Sequence, residues 1–78
     1  MKVGLYTPEG PLYEGEADRV AAISVEGAFE VLPGHAPLVA ELVGGPLRLH
    51  TPQGEKTFTL SQGFLWVTPP GEVHIIGR

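Results

Sequence analysis

The residues that could perform acid–base, nucleophilic or metal chemistry are few and scattered along this 78-residue sequence. It contains no cysteine, and neither of its serines, Ser24 and Ser61, stands in a Gly-x-Ser-x-Gly nucleophile motif. Glycine-rich phosphate loops of the Gly-x-Gly-x-x-Gly or Walker type are absent. The three histidines follow no recognised metal-ligand spacing, and they are His35, His50 and His74. The residue types therefore predict no enzymatic activity, no metal and no cofactor.

His35 has the most distinctive local setting of the polar side chains, because it stands between Pro33 and Pro37. Pro33 and Gly34 have the order of a type II turn, in which proline fixes φ and the following glycine supplies a positive φ. Ala36 precedes a proline, which favours an extended backbone. The sequence predicts a stiff, projecting corner, and a rigid contact loses little conformational entropy when a partner binds.

Three interpretations of His35 stay open from the residues alone. It is a docking residue at a protein contact, or a turn residue whose ring hydrogen-bonds a backbone carbonyl. A third interpretation, a small hydrolase that uses His35 with an acid, requires a pocket that the sequence does not reveal.

Charge and hydropathy exclude several classes of protein. The formal net charge is −4, and the five lysine and arginine residues are dispersed, whereas nucleic-acid binding requires clustered cations. No apolar run approaches the roughly 18 residues of a membrane span, and no signal-peptide pattern opens the sequence. We expect a soluble, cytoplasmic protein with no nucleic-acid partner.

Eleven glycines and eight prolines fall between short apolar segments, which is typical of a β-sandwich or barrel with many tight turns. We expect one domain over residues 1–78, an all-β sandwich of about eight to ten short strands in two sheets. Segment 12–25 is expected to form one or two strands with a bend at Gly15. Residues 47–51 and 55–60 predict the clearest hairpin. The expected strand segments are 2–7, 12–25, 28–31, 38–43, 47–51, 55–60, 63–68 and 72–76.

Trp66 is the single tryptophan and shares a strand face with Phe64. Two interpretations stay open: a core aromatic residue, or an exposed anchor in a protein interface, where tryptophan is enriched. An exposed Phe64 and Trp66 also allow the alternative function of a self-associating module, with a homo-oligomer built on this patch.

One stretch resembles a known family. Its residues are similar to a motif in the N-terminal β-sandwich domain of the epsilon subunit of F-type ATP synthases, and they read Val31-Leu32-Pro33-Gly34-His35-Ala36-Pro37-Leu38. Other fragments agree in order and spacing, so that the resemblance covers nearly the whole chain: Thr7-Pro8-Glu9-Gly10, Leu12-Tyr13-Glu14-Gly15-Glu16-Ala17, Glu26-Gly27, Pro46-Leu47-Arg48, and Gly63-Phe64-Leu65 with Val67.

The resemblance implies a non-catalytic rotor subunit that joins the gamma subunit to the c-ring and couples proton translocation to ATP synthesis. It implies a location on the cytoplasmic side of the inner membrane, reached only through the complex. It implies a set of partner-binding residues: Thr7, Glu30, Pro33, Gly34, His35, Ala36, Ala40 and Trp66.

Three departures from the family pattern bear on these contacts. Trp66 stands where the family usually has a glutamate, a carboxylate expected at Ala28 is found instead at Glu30, and Gln62 replaces a common glycine. The C-terminal helical hairpin of the family has no counterpart in the sequence, and the resemblance places ATP binding there. We therefore expect no nucleotide cofactor and no strong inhibition of ATP hydrolysis when the chain is added to an epsilon-free F1.

Overall fold

The computed structural model describes all residues, 1–78, and contains nine β-strands. It contains no helix long and apolar enough to cross a bilayer. The expectation of an all-β fold with eight to ten short strands is confirmed. The strands are β1 (Lys2–Thr7), β2 (Gly10–Glu16), β3 (Arg19–Ser24), β4 (Gly27–Val31), β5 (Leu38–Leu42), β6 (Gly45–Thr51), β7 (Gly54–Leu60), β8 (Gly63–Val67) and β9 (Val73–Gly77).

The strands form two layers that face each other across the core. Layer one has the order β2-β1-β9-β8-β5, and layer two has the order β4-β3-β6-β7. A single backbone pair, Ser24 with Leu42, joins β3 to β5 and makes the two layers one continuous curled sheet. All neighbouring strands are antiparallel except β1 and β9, which run parallel in the middle of layer one.

Alternation of side chains along each strand places the core between the layers. The predicted hairpin forms as β6 and β7, with Leu47 and Leu49 buried while Arg48 and His50 are exposed. Strands β1, β3, β4, β5, β7, β8 and β9 contribute further buried residues, and Ala17 of the β2–β3 loop joins them. The core has 14 buried apolar residues: Val3, Leu5, Ala17, Val20, Ala22, Val31, Leu42, Leu47, Leu49, Leu60, Leu65, Val67, Val73 and Ile75.

Three hairpins share one turn chemistry, in which a hydroxyl residue precedes a glycine by three positions. The hydroxyl oxygen donates a hydrogen bond to the glycine carbonyl, at 2.9 Å, 3.1 Å and 2.7 Å respectively. Each glycine has a positive φ, between 111° and 126°, which an L side chain adopts only with strain. The three turns are Thr7–Gly10, Ser24–Gly27 and Thr51–Gly54.

The expected bend at Gly15 is wrong. Gly15 lies inside β2, paired with Val3, and the ring of Tyr13 covers it, so that a Cβ at Gly15 would lie 3.1 Å from the Tyr13 hydroxyl. The chain instead breaks at Ala17 and Asp18, whose backbone N–H groups donate to carbonyl oxygens of Met1 (2.9 Å) and His50 (3.0 Å). Contacts distant in sequence thus determine where β2 ends.

Asp18 and His50 connect the β2–β3 loop to β6 through their side chains as well. Nδ1 of His50 donates to Oδ1 of Asp18 at 2.6 Å. This hydrogen bond favours the ionised carboxylate and lowers the pKa of Asp18 from its ordinary value of 3.8. Because Asp18 is largely exposed, the contribution to stability is modest.

We expect Asp18→Asn to lower the free energy of unfolding near neutral pH and to have less effect in acid. The folded-state pKa lies below the unfolded-state value, so the carboxylate stabilises the fold above pH 3.8. This stabilisation is lost as the pH falls through the folded-state pKa. Urea unfolding of both proteins from about pH 2 to about pH 7 measures the difference, and a difference independent of pH would contradict the assignment.

Strands β8 and β9 approach so closely at Gly63 that a Cβ there would lie 2.5 Å from the carbonyl oxygen of Ile76. We expect Gly63→Ala to lower the free energy of unfolding by about 1–3 kcal/mol, as in other overpacked sites. Gly44 is the matched control, since its nearest contact would be an ordinary 3.5 Å. Gly44→Ala should change stability by less than about 1 kcal/mol, and equal losses in the two variants would refute the close approach.

Candidate functional site

The predicted corner forms between β4 and β5. The backbone N–H of His35 donates to the Leu32 carbonyl at 3.0 Å, and Gly34 has a φ of 86°, as a type II turn requires. Pro33, Gly34 and Ala36 are exposed, whereas His35 is half-buried. The predicted turn type is therefore confirmed.

The ring of His35 does not project freely from the corner. Nδ1 lies 2.7 Å from the Ala36 carbonyl oxygen, which can only accept, so Nδ1 is the protonated nitrogen in this arrangement. The interpretation of a turn histidine bonded to a backbone carbonyl thus describes the geometry. It does not exclude docking, because Nε2 is left as the ring nitrogen available to a partner.

A groove runs between this corner, the tip of the β3–β4 hairpin and strand β5, with a volume of about 430 Å³. We call it the corner groove. Half-buried Phe29, Leu38 and Ala40 give it an apolar lining, and exposed Glu26 and Glu41 add carboxylates. His35 and Ala40, two of the expected site residues, meet in this groove.

A second surface lies on the side of layer one that faces away from the core. In register across β5, β8 and β9, Val39 lies opposite Trp66, and Trp66 lies opposite His74. In the next row Phe64 lies opposite Ile76. We call this surface the outer face, and its residues are Val39, Phe64, Trp66, His74 and Ile76.

The outer face exposes large apolar side chains to solvent. The exposed fractions are 70% for Val39, 57% for Phe64, 50% for Trp66 and 65% for Ile76. Trp66 is thus an exposed side chain and not a core residue. A contiguous apolar patch of this kind typically marks a protein-interaction surface.

Trp66 is held in place by its neighbour on β9. The ring centroids of Trp66 and His74 are 5.9 Å apart, with the planes tilted by 44°. Nε2 of His74 lies 3.4 Å from Oε1 of Glu72, so the imidazole also contacts a carboxylate. The indole of Trp66 is therefore in contact with the His74 ring in the absence of a partner.

The remaining expected residues lie elsewhere. Thr7 ends β1, where its hydroxyl is used in the turn to Gly10, and it lines a groove of about 560 Å³ beside Phe64 and Ile76. Glu30 is exposed on layer two, in register with Ala21, and lines a separate groove that does not include His35. The structure brings His35 and Ala40 together, and it places Trp66 and Glu30 on other surfaces.

Sequence reasoning missed Val39 and Ile76 as members of the outer face. The signal was present, because Leu42 in β5 and Val73 and Ile75 in β9 take core positions. With a side-chain period of two, the alternate residues of those strands must point outward. Combining these outward positions with Phe64 and Trp66 requires the strand order, which the sequence did not supply.

The side-chain geometry suits binding more than catalysis. No group of three or more histidine, aspartate or glutamate side chains gathers to hold a metal ion. The His50 ring contacts Asp18, but no serine or threonine hydroxyl donates to a histidine ring. A nucleophile paired with a base is therefore missing from these contacts.

Comparison with solved structures gives close matches to the fold. A chain of the Tetrahymena thermophila mitochondrial ATP synthase, in a structure described as central stalk and c-ring, superposes with a TM-score of 0.85 at 20% identity. The match covers 100% of this chain and 63% of that chain. A chain of the Euglena gracilis mitochondrial ATP synthase, in a structure described as OSCP, F1 and c-ring, superposes with a TM-score of 0.87 at 26% identity. That match covers 96% of this chain and 48% of that chain.

Sequence comparison gives relatives named ATP synthase epsilon chain. Those from Alkalihalophilus pseudofirmus and Anoxybacillus flavithermus are 41% and 42% identical over 69 residues, or 88% of this chain. The chain spans about half the length of these relatives, 52% in each case. The family model for the ATP synthase delta/epsilon chain β-sandwich domain matches residues 1–78. The chain belongs to this family, the β-sandwich domain of ATP synthase delta/epsilon chains.

Proposed function

We propose that the protein is a non-catalytic rotor subunit of an F-type ATP synthase. In this role it joins the gamma subunit to the c-ring, so that rotation driven by proton translocation reaches the site of ATP synthesis. The observation that carries the proposal is the family match over the whole chain, together with relatives that are named ATP synthase epsilon chain.

The proposal assigns one surface to each partner. The corner, with Pro33, Gly34, His35 and Ala36, contacts the c-ring, and one sheet face of the sandwich binds gamma. The type II turn at the corner supports the first contact, since a backbone fixed by proline and a backbone hydrogen bond transmits load with little deformation.

The surface of the molecule has room for two partners. Its solvent-accessible area is 4535 Å², and a standard stable interface buries roughly 800 Å² per partner, so two interfaces fit on different sides of the domain. Engagement on two sides at once raises the effective concentration at each contact and holds the domain in the complex.

The proposed place in the cell follows from the same assembly. The protein would be peripheral on the cytoplasmic side of the inner membrane and attached through the complex. Its side chains perform no covalent step, and its contribution is to bind, orient and carry torque.

Native mass spectrometry with the gamma subunit and c-ring of the host tests the proposal. We expect a one-to-one complex with gamma that also associates with the c-ring. His35→Ala should weaken the c-ring association roughly fivefold, as expected when an interface hydrogen bond worth about 1 kcal/mol is lost.

His50→Ala is the matched control, because His50 pairs with Arg19 at the opposite end of β3 from the corner groove. It should leave c-ring association unchanged. A protein that self-associates and binds neither gamma nor the c-ring would overturn the proposal. That result would favour the alternative of a self-associating module, for which exposed Phe64 and Trp66 are the supporting observation.

A further inference from the structure

A partner can cover the outer face only by packing onto its side chains, and not by extending the sheet. Its central strands, β8 and β9, have both edges paired, β8 with β5 and β9 and β9 with β8 and β1. An added strand would need a free edge, so strand addition cannot cover Phe64, Trp66 and Ile76. The occupant of this face must therefore pack on its side chains, as a helix or a second sheet does.

The width of the apolar strip matches a helix. The strip spans three strands, from Val39 on β5 through Trp66 on β8 to β9, which is about 10 Å at the usual strand spacing. An α-helix with its side chains is about 10–12 Å across. A packed sheet would extend beyond this strip over Gly4 on β1, where the ring of Tyr6 already covers the glycine.

The charges around the strip are mainly negative. Glu41 lies in register with Phe64 at the β5 side, and Glu72 lies beside His74 at the start of β9. Two cations lie nearby. Lys2 on β1 is in register with Glu16 of β2, and Arg78 donates to Gln62 from Nε (2.8 Å) and Nη2 (2.6 Å) when the Gln62 amide is oriented to accept. Charge complementarity therefore favours an occupant with basic residues along its flanks.

Trp66 has the position and the support of an anchor. It lies between Val39 and His74, and its tilted contact with the imidazole orders the indole before binding. A large aromatic side chain that is ordered in advance loses little entropy in a complex, which is the usual character of an interface hot spot.

We propose that the outer face binds an amphipathic α-helix with an apolar stripe and basic flanks, and that Trp66 is its anchor. This inference rests on the proposed rotor function, because it takes the helix to belong to the gamma subunit. The proposal identifies which sheet face meets gamma and which type of element in gamma meets it.

The single tryptophan allows a direct test. The domain is labelled with 5-fluorotryptophan and titrated with unlabelled host gamma subunit, and the ¹⁹F resonance of Trp66 is followed. We expect the resonance to shift as the indole leaves water. A bound complex with an unshifted resonance would overturn the proposal, as would concentration-dependent burial of Trp66 without gamma, which would assign the face to a second copy.

Matched variants distinguish the loss of an apolar contact with gamma from unfolding of the domain. Trp66→Ala should weaken gamma binding about tenfold or more, as hot-spot truncations do, and Phe64→Ala should act in the same direction. Leu12→Ala is the control, since Leu12 is 47% exposed, close to Trp66 at 50%, but lies on β2 at the edge of layer one farthest from β5. Equal affinity in all of these variants, with spectra showing each folded, would overturn the proposal.

Charge-reversal variants provide a second, independent test that leaves the apolar residues intact. Glu41→Lys and Glu72→Lys should weaken binding and reduce its dependence on salt, whereas Glu55→Lys on β7 should change neither. Hydrogen exchange of gamma should show protection in a helix with Lys or Arg beside an apolar stripe. Protection confined to a strand or loop of gamma would contradict the helix assignment.

These outcomes distinguish the inference from the function on which it rests. Failure of the wild-type domain to bind gamma would refute the rotor proposal itself. Tight binding of gamma that ignores the variants at Trp66, Phe64, Glu41 and Glu72 would refute only the assignment of the outer face.

Discussion

The two-residue period of the β-strand is the constraint on which the rest of this structure depends. Burial of Leu65 and Val67 in the core requires Phe64 and Trp66 to point outward, because successive side chains of β8 alternate between its two sides. The fold accounts for the buried members of each strand. It does not account for the outward ones, because an exposed side chain contributes little to the free energy of folding. Burial of a side chain of this size by a partner would contribute about 1.5–3 kcal/mol to binding. Apolar residues at outward positions are therefore explained better by a partner than by folding.

Local chemistry explains why so much of the fold was predictable from the sequence. The hairpin turns are determined by residues within the turn itself. A threonine or serine hydroxyl donates a hydrogen bond to the carbonyl of a glycine three residues later, and that glycine adopts a positive φ. Thr7–Gly10 and Thr51–Gly54 were recognisable as turns from proline and glycine alone. The shared hydroxyl-x-x-glycine pattern was not recognised in the sequence, although it is visible there at each turn.

The parts that could not be predicted depend on contacts between distant residues. No local signal shows that β1 and β9 pair in parallel, or that Ser24 and Leu42 join the two layers. For the same reason the sequence did not show that Glu30 and His35 line different grooves. The error at Gly15 has the same cause, since the chain breaks instead at Ala17 and Asp18, whose backbone N–H groups donate to the distant carbonyls of Met1 and His50.

Strand β5 connects the two surfaces assigned to partners. Val39 and Glu41 point to the outer side of layer one and also border the corner groove, whereas Leu38 and Ala40 line the groove and pack toward the core. All five residues of β5 pair with β8, so a force applied at the corner is shared among several backbone hydrogen bonds acting together. A load passing from one partner to the other would then cross one paired strand and no flexible loop. The arrangement suits the proposed role as a rotor subunit, because the stiffness between the two proposed contacts resides in a sheet and not in the surface side chains that would make those contacts.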